Sequence, residues 1–84
     1  MRKLGRFSID IGSDQEHEDL VAEVYYDDEF VGMLTQESGF DKMEVAIYPR
    51  KDGNPWTFKY ADLEYVLREA KQRLWDLRRI APGG

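Results

Sequence analysis

The chain has 84 residues, enough for one domain, with 42% hydrophobic and 13% aromatic residues, so a packed core is expected and disorder is not. It has no cysteine, which excludes disulfides and thiolate metal sites, and no apolar run near the roughly 20 residues that span a bilayer. The net charge of −5 is segregated: residues 1–9 hold three bases and no acid, residues 10–44 twelve acids and one base, and residues 45–84 eight bases and five acids. An acidic middle of this kind steers a basic partner and repels nucleic acid, or simply keeps a small sheet soluble.

Residues 1–5 read as a flexible end. Phe7-Ser8-Ile9-Asp10-Ile11 alternates apolar and polar, the period of a half-buried strand. Residues 12–19 hold no apolar side chain and read as a loop. Residues 20–26 and 30–35 are rich in β-branched and aromatic types and flank Asp27-Asp28-Glu29. A two-residue turn at Asp27-Asp28 makes a hairpin with Tyr26 opposite Glu29, Tyr25 opposite Phe30 and Val24 opposite Val31. That register turns Leu20, Ala22, Val24, Tyr26, Val31 and Met33 toward a core. Val21, Glu23, Tyr25, Phe30, Gly32 and Leu34 fall on the other face.

After a turn at 37–41, residues 43–48 form a further strand with Met43, Val45 and Ile47 on its core side, ended by Pro49. Residues 50–55 are a loop. Trp56-Thr57-Phe58 is either a short extra strand or an extended segment pinning that loop to the core. From Tyr60 the period changes, and Leu63, Val66, Leu67, Ala70, Leu74 and Leu77 recur at helical spacing. Glu64–Arg68 and Glu69–Arg73 stand in the favourable acid-first order. Pro82 and Gly83 stop the helix, leaving 82–84 as a second flexible end.

A sheet with one apolar face needs a cover, and the helix at about 60–80 supplies it. The expected fold class is α+β: an antiparallel meander of four strands, or five, covered on one face by a C-terminal helix, in a single domain over 1–84. The expected core holds Ile9, Val24, Val31, Val45, Ile47, Leu63, Leu67, Ala70 and Leu74.

Such a domain has little room for a catalytic pocket. Ser8, Ser13 and Ser38 lack a nucleophile's sequence context, and no phosphate-binding glycine loop is present. His17 stands among Asp14, Glu16, Glu18 and Asp19, but it is the only histidine and the spacing fits no EF-hand, so a solvated acidic loop is the reading. Gly83-Gly84 resembles the tail of ubiquitin-like modifiers over two residues only; it follows a helix and Pro82, and reads as a frayed end. The basic start Arg2-Lys3-Arg6 precedes no apolar stretch of a signal peptide. A non-enzymatic cytoplasmic protein without cofactor or metal is therefore expected.

Binding to another protein is the remaining class. Tyr65 and Trp75 fall off the buried helix stripe. With one sheet face covered, Val21, Tyr25, Phe30, Leu34, Ala46 and Tyr48 are left on the other, a patch that suits a partner or a second copy. A twist that tucks Phe30 and Leu34 under Trp56 is the other way to account for them. The run Val21-Ala22-Glu23-Val24-Tyr25-Tyr26-Asp27-Asp28-Glu29-Phe30-Val31, followed by Glu44-Val45-Ala46-Ile47-Tyr48-Pro49, Asp52-Gly53-Asn54-Pro55-Trp56 and an amphipathic helix, resembles small bacterial immunity proteins. Those are encoded beside polymorphic or contact-dependent toxins and neutralise them by tight binding. The resemblance implies a toxin inhibitor and carries over no site residue.

On their own chemistry, Asp27, Asp28 and Glu29 would supply charge toward a basic toxin domain, and Tyr25, Phe30 and Tyr48 amphipathic anchors beside it. The alternatives are a structural homodimer, or a nucleic-acid-associated or regulatory module. That module would use Arg68, Lys71, Arg78 and Arg79 with Trp75 on the outer helix surface, and the acidic balance of the chain argues against it.

Overall fold

A computed structural model describes residues 2–13 and 19–80, with side chains described through 77. In chain order the elements are β1 (Arg2–Leu4), β2 (Phe7–Gly12), β3 (Val21–Tyr26), β4 (Glu29–Thr35), a 3₁₀ turn (Phe40–Lys42), β5 (Glu44–Ile47) and α1 (Tyr60–Ile80). The five strands form one antiparallel sheet in the order β1-β2-β3-β4-β5, each paired with its neighbour in sequence. The fold is the expected α+β meander with a C-terminal helix. The fifth strand, however, is not at Trp56-Thr57-Phe58. It is β1, in the segment expected to be a flexible end. A two-residue turn holds it, with Leu4 opposite Phe7 and Gly5 at a φ of 65° that a side chain would resist.

The β3–β4 turn has Asp27 at φ 52° and Asp28 at φ 67°. Two successive positive φ values match the right-handed twist of the flanking strands. Tyr26 lies opposite Glu29 and Tyr25 opposite Phe30, as the sequence predicts. Beyond them the register slips at a bulge: Val24 lies opposite Gly32, not Val31, and Ala22 opposite Leu34. One extra residue reverses the phase of a period-two pattern. Leu34 therefore enters the core, 3% exposed, and Met33 moves to the other face opposite Glu23. Both reverse the expected assignment.

The core is built from Phe7, Ile9, Ala22, Val24, Val31 and Leu34 of the sheet and Val66, Ala70 and Leu74 of α1. The spacing of Val66, Ala70 and Leu74 puts them in one row along the helix, and all three are fully buried. Leu63 and Leu67 flank that row, half-buried. Fully burying a side chain such as Leu74 or Ile9 contributes roughly 1.5–3 kcal/mol. The helix packs on β2 and β3. Strand β5 lies outside its cover, so Val45 and Ile47 are 46% and 53% exposed rather than in the core as expected.

Between β5 and α1 the chain is extended and anchored by rings. Trp56 and Phe58 stack at 5.3 Å, Phe58 lies 5.0 Å from Phe7 and 5.1 Å from Tyr26, and the Trp56 indole N–H donates to the Tyr48 carbonyl at 3.0 Å. The Arg6 and Arg50 guanidinium groups lie over Tyr26 and Trp56 at 4.8 and 5.2 Å. This segment pins the loop to the core, the second of the two expectations for Trp56-Thr57-Phe58.

Candidate protein-binding face

Among the described residues the sheet has one face against α1 and one without a helix. Pairing places each residue on one or the other. Phe7, Ile9 and Ile11 lie opposite Tyr26, Val24 and Ala22, which fixes them on the helix side. Ser8, Asp10 and Gly12 then lie opposite Tyr25, Glu23 and Val21 on the open side. Across the next pairings Tyr25 meets Phe30, and Glu23 meets Met33, which meets Ala46.

Along one line of this face the aromatic side chains touch. Tyr25 and Phe30 pack edge to face with centroids 5.6 Å apart, and Phe30 and Tyr48 are 5.2 Å apart. Tyr48 comes from beyond β5, where its N–H donates to the carbonyl of the bulged Val31 at 2.8 Å. Three of the residues expected to anchor a partner are thus gathered in one row. Trp56 and Leu34 lie elsewhere, so Phe30 does not tuck beneath the indole. Tyr48 is 44% exposed, and Tyr25 and Phe30 are half-buried.

Beside the row lie two carboxylates. Asp10 and Glu23 are directly opposite each other on adjacent strands. Burial first, then the charges of Glu23 and Asp10, push the Tyr25 phenol above its ordinary value. The hairpin register already puts Glu23 on this face beside Tyr25; Asp10 joins it only through the β2–β3 pairing, although the alternation of β2 places it on the same side as Ser8. Like charges directly opposite each other on paired strands repel, and a cation from outside relieves that repulsion.

The three tip acids have different fates. Asp27 is held by Arg6, whose Nε donates to Oδ1 at 2.9 Å while its other branch pairs with Oδ2. This hydrogen bonding and charge lower the Asp27 carboxyl below its usual range, while the Arg6 guanidinium is raised. Glu29 accepts the backbone N–H of Lys51 at 2.9 Å. Asp28 is exposed, with no ion-pair partner among the described residues. Of the tip residues, Asp28 is the one whose charge is uncommitted.

The helix surface offers a second, basic region. Arg68 pairs with Glu64 at 3.3 Å, Lys71 lies 5.4 Å from the Phe40 ring centroid, and Trp75 packs on Phe40 at 5.1 Å. With Asp41 and Gln72 they line an open groove of about 380 Å³ between α1 and the 3₁₀ turn. Both cations are engaged within the chain, and the Arg78 and Arg79 side chains lie outside the described ones. Among the described residues no three His, Asp or Glu side chains converge to hold a metal ion. The acidic loop around His17 and the Gly83-Gly84 tail also lie outside the described residues. No described helix is long and apolar enough to cross a membrane. Compared with protein families, curated proteins and solved structures, the chain matches none.

Proposed function

We propose that this domain acts by binding another protein, as a non-enzymatic immunity-type inhibitor that neutralises a toxin domain with a basic surface in the cytoplasm. The observation that carries the reading is the aromatic row Tyr25–Phe30–Tyr48 beside Asp10 and Glu23, on the sheet face that no described helix covers. Rings and carboxylates divide the labour. Acids speed encounter and orient a cationic partner, and aromatics that lose water on contact supply most of the lasting affinity. Asp28 adds an uncommitted charge at the hairpin tip, whereas Asp27 serves the fold through Arg6.

The test is to look for a large toxin-like gene directly upstream of this one and to co-express its product with this chain; its absence counts against the reading. Restored growth, together with a complex on size exclusion, supports the reading. Unrelieved toxicity with no complex between the purified proteins defeats it.

A further inference from the structure

Strand β5 is an edge with no lysine, proline or bulge within its four residues, Pro49 standing just past its end. Tyr48 N–H bonds Val31, so the alternation of antiparallel pairing turns the backbone groups of Glu44 and Ala46 toward β4 and those of Val45 and Ile47 outward. All four residues of β5 are exposed, and on the helix side the two outward-bonding residues are apolar. Edges are ordinarily blunted by lysine, proline, a bulge or a covering segment. The opposite edge, β1, is three residues long and carries Arg2 and Lys3. In β5 the single charge is Glu44, whose side chain lies on the other face from Val45 and Ile47.

We propose that β5 pairs with β5 of a second copy, antiparallel about a two-fold axis at Ala46, joining two sheets into one of ten strands. The strand's own order of residues is the argument for a second copy over another partner. With the outward groups at Val45 and Ile47, a two-fold register makes each Val45 exchange hydrogen bonds with the partner's Ile47. Four apolar side chains then close over one another on the helix side. The same register sets each Glu44 against the partner's Tyr48, so no carboxylate faces a carboxylate and a phenol is offered to each. Ala46 meets itself at the axis, where identical side chains approach most closely, and it has neither bulk nor charge to oppose that approach. A shift of the pairing by two residues in either direction breaks at least one of these matches.

Pairing over so short a strand buries less than the roughly 1,200 Å² of a standard interface, so the dimer is a concentration-dependent one. It leaves Tyr25 and Phe30 on the open face free and sets two aromatic rows on one continuous surface, each ending at a Tyr48 beside the partner's Glu44. The inference is independent of any toxin and is tested without one.

Sedimentation velocity on the whole chain from micromolar to millimolar concentration should show a reversible monomer–dimer equilibrium. Ile47→Lys, at a half-exposed position, should raise the dissociation constant by about tenfold or more while the thermal melt stays near wild type. Because the chain is free of cysteine, a single one reports the register. Residues at a non-hydrogen-bonded antiparallel pair have Cα atoms about 4.5 Å apart, inside disulfide range, so Ala46→Cys should cross-link under mild oxidation. Val45→Cys should not, because its counterpart lies on the diagonal at about 7–8 Å. A chain that stays monomeric throughout, a dimer indifferent to Ile47→Lys, or cross-linking at Val45→Cys in preference to Ala46→Cys would each overturn the proposal.

Discussion

Gly32 and Ala46 are in such close backbone contact that a Cβ on Gly32 would overlap the Ala46 carbonyl oxygen and stand 3.1 Å from both the Ala46 carbonyl carbon and the Ile47 Cα. The obstruction is backbone, with no flexible side chain to swing aside. Gly32→Ala should therefore force β5 away from β4 at a cost of about 1–3 kcal/mol, as for other overpacked sites. Chemical denaturation measures the loss. Hydrogen exchange should place it at the amides of Ala46 and Tyr48, which bond to β4, rather than in β2 or β3.

The core should respond in proportion to burial. Leu74 is fully buried against the sheet, so Leu74→Ala should cost about 2–5 kcal/mol. Ile47→Ala, at a position 53% exposed, should cost under about 1 kcal/mol. Equal losses in urea denaturation would contradict the placement of α1 over β2 and β3.

At the hairpin tip, positive φ is disfavoured for a residue with a Cβ, and Asp28 adopts it with no ion pair among the described residues to compensate. Asp28→Gly should raise stability by about 0.5–1 kcal/mol, which in a domain of this size is a rise in Tm of a few degrees. The same change at Asp27 should fare worse, since it breaks the pairing with Arg6.

That pairing has a pH signature. Asp27 titrates lower in the folded chain than in the unfolded one, so its contribution is complete above the ordinary aspartate value near 3.9. It is lost as pH falls through the lowered folded value. NMR titration of the Asp27 carboxyl should show a depressed midpoint that returns upward in Arg6→Ala. Both side chains are largely exposed, so added salt should weaken the effect.

On the open face, partner binding should separate into two kinetic classes. Asp10→Asn with Glu23→Gln should slow association and flatten its salt dependence. Tyr25→Ala or Phe30→Ala should speed dissociation by ~30-fold or more where either ring is a hot spot worth at least about 2 kcal/mol. Surface plasmon resonance against the toxin domain that the proposed function calls for distinguishes them; uniform wild-type kinetics in folded variants would move the proposed interface to the Tyr65 and Trp75 side of α1.

Much of this architecture is legible in local pattern. The helix at Tyr60–Ile80 is marked by its period, and the Asp27-Asp28 turn by two strand-like runs spaced for a hairpin. What escaped depends on geometry between elements. A bulge at Val31 exchanged the faces of Met33 and Leu34, and a glycine inside a strand, here Gly32, is the signal that could have raised it. Val45 and Ile47 alternate as core residues do, yet alternation records which face a side chain takes and not how far a covering helix extends. The aromatic row of the candidate face followed from the turn register, because Tyr25 and Phe30 lie on the turn side of the bulge. Glu23 was on that face by the same register, but setting Asp10 opposite it required a pairing between strands separated by a long loop.

The meander has a kinetic corollary. Each strand pairs with the one made just before it, so the sheet can assemble through short closures as the chain lengthens. The contact of α1 with β2 and β3 is different: it brings Val66, Ala70 and Leu74 back to strands some forty or more positions earlier. During synthesis the strands therefore emerge before their lid, and Phe7, Ile9, Val24 and Leu34 lack their cover until Leu74 has left the ribosome. Ribosome stalling or early termination within the helix would release a sheet with its oily side bare, a ready substrate for chaperones and proteases.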